Sequence, residues 1–478
     1  MSFLSFEFAL FVGVALLIFH LGRAGWRPGL LLALSYVFYL TWSPLHALLL
    51  AAVTTGVYRT ALWIESRRTE RGKRAWVALG VMALLVLLFG FKSASWWLKE
   101  VFPHAPGAMK FVAPLGLSYY VFKMLGYLLD VYWEVLPAQR NFVTLALYGA
   151  FFPQIVSGPI QRAQSFFEQI KNLQNPDAEE FATGLRRILF GLFKKLAVAD
   201  PLSVVVANVH ANPAGFSPLE LLAGAYCYWF QLYADFSAIT DIAIGIGLLF
   251  GVRGPENFDL PYFSPSIPVF WRRWHMSLTT WLTDYLFTPL RMSLRTLGTV
   301  GLCLAIMINT VAIGLWHGLA WTFLAFGILH GIFVSVSVLT QKRRNLFFKN
   351  RPALAQVRRF AAPFLTFNLV AFSLIFFRSG SFSAALEYIA RLIPGFKTTA
   401  IPAMRLDLSL LGISAPALMF CAVAFLAGEA VTWAARRRLW VEWFFARPVF
   451  LRRTLYYALI TAVLFLFKGT ISFIYARF

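Results

Sequence analysis

A histidine stands inside one of the most apolar stretches of this 478-residue sequence: His317, in INTVAIGLWHGLAWTF. Val311, Ala312, Ile313, Leu315 and Trp316 precede it, and Gly314 and Gly318 leave room beside the ring. A neutral imidazole accepts a proton near physiological pH, so a buried histidine facing a cavity can serve as a general base. One that bonds a neighbouring helix only holds the bundle together, and the residues by themselves leave both roles open. His275, in FWRRWHMSL, is either a site residue or, flanked by Trp and Arg, an interfacial anchor. Arg272 and Arg273 either snorkel or present guanidinium forks to the phosphates of a donor such as coenzyme A. In FQLYADFSAITDIAIG, Gln231 and Asp235 stand four apart and share a helix face, whereas Asp241 falls on another face unless the helix breaks near Ser237. Two carboxylates in so apolar a stretch need partners, which Arg272 or Arg273 can supply. Their expected role is structural or site-orienting.

Several familiar arrangements are missing. The chain has no Gly-x-Ser-x-Gly elbow, no phosphate-cradling Walker motif and no His-Glu-x-x-His zinc site. His20, His46, His104, His210 and His330 are scattered without ligand spacing, so no metal is expected. Cys227, Cys303 and Cys421 lie far apart in apolar runs and read as buried, inert thiols.

The elements that must position these groups are membrane helices. Hydrophobic residues make up 59% of the chain and charged residues 13%, with a mean hydropathy of +0.68. A soluble domain carries about 25% charged residues, so this chain lacks the polar surface such a domain needs. Apolar runs near the length that crosses a ~30 Å hydrocarbon core recur from end to end. Met1–Gly22 has no basic leading region and no small-residue cleavage site, and reads as a retained first span. The net charge of +22 gathers in three loops, Arg67–Arg74, Lys342–Arg359 and Arg436–Arg453, each flanked by apolar spans. That is the positive-inside pattern and places them in the cytoplasm; no basic stripe with interleaved aromatics suggests nucleic acid. Trp96, Trp97 and Trp133 near span ends fit interfacial belts.

Hydropathy predicts eleven to fourteen segments: Phe3–Phe19, Pro28–Tyr39, His46–Ile64, Ala75–Phe91, Phe111–Tyr132, Phe142–Val156, Ile188–Val206, Leu221–Tyr233, Ile239–Phe250, Val300–Leu315, Trp321–Val338, Phe360–Phe377, Leu411–Trp433 and Thr454–Ile474. Gln161–Glu180 is expected as a loop with one amphipathic helix. Gly251–Arg295 reads differently: Pro255, Pro261, Pro265 and Pro268 forbid a regular helix, and WRRWHMSLTTWLTDYLFTPLR mixes aromatics with charge. Irregular backbone at membrane depth is tolerated only where it is buried in protein or lines a watery cavity, so a funnel is expected here.

PLGLSYYVFKMLGYLLDVY (Pro114–Tyr132), FFPQIVSGPIQR, GLFKKLAVAD, FQLYADFSAITDIAIGIGLLFG, PENFDLPY, FWRRWHMSLTTWLTDYLFTPL and GLWHGLAWTFLAFGILHG, in this order, resemble the membrane-bound O-acyltransferase family. The resemblance is to its bacterial branch, of the type that acetylates alginate, and the closing FIYARF is similar to that type's C-terminus. It covers about Pro114–Gly331 and the final residues; the first hundred residues and Lys342–Arg453 match only in hydropathy.

The resemblance implies an all-α polytopic membrane bundle with a central tunnel and re-entrant or broken helices. It implies a single acyltransferase domain over 1–478, its core about 111–340, with peripheral helices at 1–110 and 341–478. It places the family's histidine on His317 and the bacterial branch's second histidine on His275 as catalytic residues. Arg272, Arg273, Trp274, Trp316, Gln231 and Asp235 become substrate-binding candidates. The implied activity moves an acyl group, acetyl in the alginate-type branch, from a cytoplasmic thioester such as acetyl-CoA across the bacterial inner membrane. The acceptor would be an exported or cell-envelope polysaccharide, alginate-like or cellulose, reached through a periplasmic acetyltransferase partner, with no bound cofactor. D-alanyl or peptidoglycan O-acyl transfer is the alternative, and a transporter or scaffold is the non-enzymatic one; a transporter predicts paired repeats with broken helices in both halves, and none is evident. Two motifs depart from the alginate type. Ala238, Ile239, Thr240 and Asp241 replace Gly-Tyr-Ser-Asp, and Leu290 is followed by Arg291–Arg295 instead of a Gly-Gly turn.

Overall fold

The computed structural model describes residues 3–101, 114–393, 406–435 and 446–466, and Phe473. His104, the start of the segment expected from Phe111, most of the basic run from Arg436, and FIYARF beyond Phe473 lie outside the described residues.

The α-helices are, in chain order, α1 (Phe6–Leu21), α2 (Arg27–Leu40), α3 (Pro44–Ser66), α4 (Glu70–Val101), α5 (Leu117–Tyr132), α6 (Phe142–Ala150), α7 (Phe152–Ile155), α8 (Ala163–Lys171), α9 (Ala178–Lys194), α10 (Asp200–Ala211), α11 (Pro218–Leu249), α12 (Ile267–Trp271), α13 (Met276–Leu282), α14 (Thr288–Ser293), α15 (Gly298–His317), α16 (Trp321–Lys349), α17 (Pro352–Arg378), α18 (Phe382–Leu392), α19 (Leu408–Leu411), α20 (Ala415–Ala435) and α21 (Val449–Leu466). Extended pairing among the described residues is limited to one isolated bridge, between Phe258 and Trp274. Among the described residues, eight helical stretches are long and apolar enough to cross a membrane: α3, Glu70–Ala94 of α4, α11, Arg295–His317, α16, α17, α20 and α21. The chain is therefore an all-α, multi-pass membrane protein.

The structure corrects several boundaries. Leu221–Tyr233 and Ile239–Phe250 are not two spans but one 32-residue helix, α11. In its most apolar window 94% of residues are buried, against 33% in α15 and α16. A helix wrapped by protein on all sides can carry Gln231, Asp235 and Asp241 without presenting them to lipid. Ile188–Val206 is divided among α9, a π-helical turn at Lys195–Ala199 and α10. Phe142–Val156 breaks at Phe151, ahead of Pro153, into α6 and α7. The basic runs expected as loops are largely helical: Lys342–Lys349 closes α16, Pro352–Arg359 opens α17, and Glu70–Arg74 opens α4.

Two compact units divide the chain, one built mainly from Met1–Ile188 and Ile239–Pro255, the other from Leu189–Ala238 and Glu256–Gly469. In the first, α2, α3, α4, α5 and α6 pack together. Phe152 joins Phe11 and Phe250 edge-on, with centroids 5.3 and 5.6 Å away. Lys123 is buried in this unit. Its ammonium donates to Gln154 Oε1 (3.2 Å) and lies over the Tyr148 ring (4.6 Å). Gln154 in turn donates to Gln161 Oε1 over 2.7 Å.

In the second unit α15 and α16 form a close hairpin, and α17 packs on α16. A Cβ on Gly314 would lie 2.2 Å from Phe323 O, and one on Gly327 would lie 2.8 Å from Thr310 O. The two backbones therefore touch, the small-residue packing that joins helices in lipid. Gly314 and Gly318 do not open space beside His317 as expected; the backbone and ring of Phe323 fill it.

Candidate active site

His317 is the last residue of α15, at the turn of the α15–α16 hairpin, and is 7% exposed. The indole of Trp316 meets its ring edge-on at 4.6 Å between centroids, and Phe377 does so at 4.7 Å. Phe323 lies further off, at 6.2 Å.

His275 is reached by a different construction. It caps α13 at its N-terminus with φ 45° and ψ 53°, the left-handed region that costs a non-glycine residue about 1–2 kcal/mol. Asn257, fully buried in PENFDLPY, braces this turn: its carbonyl accepts Met276 N–H (2.9 Å). Its Oδ1 accepts both the N–H (3.1 Å) and the hydroxyl (2.7 Å) of Ser277. Asp259 N–H donates to Arg273 O (2.9 Å), and Phe258 bridges Trp274. The Pro-rich segment thus lies along WRRWHMS as a short two-stranded clasp. The His275 ring, 1% exposed, meets Phe236 of α11 edge-on at 4.6 Å and Trp316 at 5.6 Å.

Trp316 is therefore shared by both histidines, which come from segments 42 positions apart in the chain. Of the other candidates, Trp274 lies 6.3 Å from Phe236 between ring centroids and is packed among Trp229, Phe258 and Phe270. Arg272 is exposed, and Arg273 donates to Phe263 O (3.3 Å), which ties down the Pro-rich loop. Gln231 and Asp235 are both buried on α11. The arginines are not the partners of the carboxylates. Asp235 Oδ1 lies 2.7 Å from Lys195 Nζ, which is also 2.8 Å from Asp200. Asp241 is held by Arg187 Nε at 2.8 Å. The π-helical turn at Lys195 brings the lysine inward, and the paired Lys194 and Lys195 were the only sign of it in the sequence.

His330 shows what a structural membrane histidine looks like. Trp271 Nε1–H donates to its Nδ1 (3.1 Å). Its Nε2–H donates to Ser373 Oγ (2.9 Å), whose own proton goes to Val370 O (2.7 Å). Both ring nitrogens are used, which sets one neutral tautomer. Asn257, Phe236, Phe377 and Lys195 had not stood out in the sequence. Asn257 and Lys195 lie within motifs of the resemblance, but no spacing rule marks their roles.

A model of the MBOAT, membrane-bound O-acyltransferase family matches residues 34–380. The chain belongs to this family. His275, Trp316, His317 and Asn257 all fall within the match, whereas α20 and α21 lie beyond it. Among relatives, a probable alginate O-acetylase of Azotobacter vinelandii is 38% identical over 337 residues, 68% of this chain and 66% of that protein. A peptidoglycan O-acetyltransferase of Helicobacter pylori is 30% identical over 75% of this chain and 72% of its own length. A teichoic acid D-alanyltransferase of Streptococcus thermophilus is 27% identical over 70% and 83%. The aligned part thus spans just under two thirds of the first of these relatives.

Proposed function

We propose that this membrane-bound O-acyltransferase takes an acetyl group from a cytoplasmic thioester, acetyl-CoA or another acyl thioester or acyl carrier, and delivers it for O-acetylation of an exported or cell-envelope polysaccharide. The observation that carries the reading is the pair of buried histidines on one indole, inside the family match. The name of the 38%-identical relative supports an alginate-like polysaccharide acceptor, and cellulose is the other exported polymer in this reading. In this reading the chain works as one acyltransferase domain with its core at about 111–340, in the inner membrane of a bacterium. A periplasmic acetyltransferase receives the group.

His317 is the general base. It removes the proton of the attacking hydroxyl, or of a relay group, while the oxygen bonds to the thioester carbon. The resulting tetrahedral oxyanion collapses, the C–S bond breaks, and the thiolate recovers the proton from the imidazolium. The imidazolium forms at the carbonyl end of α15, where the helix dipole favours positive charge. His275 and the Trp316 indole N–H orient the acyl group and stabilise the oxyanion. Trp274, Gln231 and Asp235 shape the surrounding pocket. Arg272, exposed beside the clasp, and Arg273 are the cations available to donor phosphates.

The relatives named for peptidoglycan acetylation and for D-alanylation support a second reading, with the same histidines and a different acyl group or polymer. Replacing His317 with Ala tests the shared core of both. O-acyl content of the envelope polymer should fall about 10²–10⁴-fold while the protein remains in the membrane. Acylation that persists would instead favour a scaffold or transporter.

A further inference from the structure

His275 sits where its own backbone conformation is unfavourable, so something outside the residue must hold it there. Among the described residues only two other non-glycine positions have a positive φ, Glu134 (59°) and Leu260 (45°, the same as His275). Leu260 lies three residues after Asn257, in the opposing arm of the same clasp. Strain is therefore gathered on both arms, the pattern of a segment bent for placement. Three bonds converge from Met276 and Ser277 onto the two oxygens of Asn257, immediately after the strained residue.

We propose that Asn257 is a positioning residue for His275. Its main-chain and side-chain oxygens pin the left-handed turn and so aim the imidazole at Trp316. This rests on the reading of His275 as a site residue. Relaxing the turn to an ordinary helical N-terminus would swing the His275 Cβ and carry the ring off the indole face. An acceptor oxygen at position 257 is what the turn requires. A carboxamide supplies it without adding charge to a site that is fully buried.

The test uses the full chain in detergent micelles and four variants: N257A, N257D, S277A and H275A. Two quantities are read. One is the rate at which diethyl pyrocarbonate modifies His275, followed by mass spectrometry. The other is kcat and KM for acetyl-CoA thioester cleavage. In the parent protein His275 is 1% exposed and should react slowly. In N257A its modification should quicken by about tenfold or more as the turn opens. The same variant should lose about 100-fold in kcat with KM little changed, as for a catalytic group moved by about an ångström. N257D keeps the acceptor oxygen but brings a carboxyl group into a buried site, so it should restore only part of both losses. S277A, which loses one of the two donors to Oδ1, should fall between.

A folded N257A with parental labelling and kcat overturns the proposal. If N257A does not survive size exclusion as a folded protein, S277A decides: unchanged labelling and kcat then reject Asn257. Should H275A cleave acetyl-CoA like the parent, the reading of His275 as a site residue fails. The labelling series would still decide whether Asn257 holds the turn.

Discussion

Lys195 and Asp235 form an ion pair that solvent barely reaches, Nζ to Oδ1 2.7 Å, with side-chain exposures of 2% and 0%. A second carboxylate, Asp200, meets the same ammonium. Removing the lysine leaves two carboxylates without their cation, whereas removing one carboxylate leaves a pair. K195M should therefore destabilise by about 3–5 kcal/mol, and adding D235N to it should recover part of the loss. Thermal unfolding of the purified variants in one detergent checks this. R272A should leave the melting temperature near the parent's, because Arg272 is not the partner of either aspartate.

The Trp316 indole touches both histidines, and its N–H is the part of it that can act on charge. W316F keeps a flat ring against His317 and loses that donor. The expected result is a fall in kcat of about 10²–10³-fold with the protein intact. Measuring kcat and KM separately is decisive: a change confined to KM would make Trp316 a binding wall.

His330 is bonded at both nitrogens, to Trp271 and Ser373, so its loss should act on stability first. H330A orphans a buried indole N–H and strips Ser373 of its donor, at a cost of about 1–3 kcal/mol. Activity per folded molecule should fall far less than in H317A. Comparing yield, melting temperature and specific activity of the two variants separates the structural histidine from the proposed base.

Gly314 meets the backbone of α16, while Gly56 in α3 has open space around it. G314A should push α15 away from Phe323 and cost about 1–3 kcal/mol, with loss of activity because His317 lies three residues on. G56A should be neutral or stabilising, since alanine is the better helix former by about 1 kcal/mol. Melting curves of the two proteins check this: G314A should melt well below the parent and G56A at or above it.

The sequence by itself determined the class of this protein. Hydropathy of span length needs no tertiary information, because each membrane helix satisfies its own backbone bonds and only its lipid-facing surface must be apolar. The Pro-rich segment was likewise legible as irregular, since proline removes a donor wherever the chain goes. The ordered motifs carried the family, and with it His275 and His317. Hydropathy failed at α11, which it split in two, because it assumes that polar residues avoid a continuous membrane helix. That assumption lapses for a helix wrapped in protein, as α11 is. Pairing was beyond the sequence altogether. Arg272 is near His275 in the chain yet faces outward, while Lys195, forty positions from Asp235, is its counterion. Only the tertiary structure decided that Phe323 fills the space beside Gly314 and Gly318, that Asn257 braces the turn at His275, and that Trp316 joins the two histidines. The first is set by how tightly the α15–α16 hairpin closes, and the others by how a folded clasp and a helix far apart in the chain approach in space; no local preference of the residues encodes these approaches.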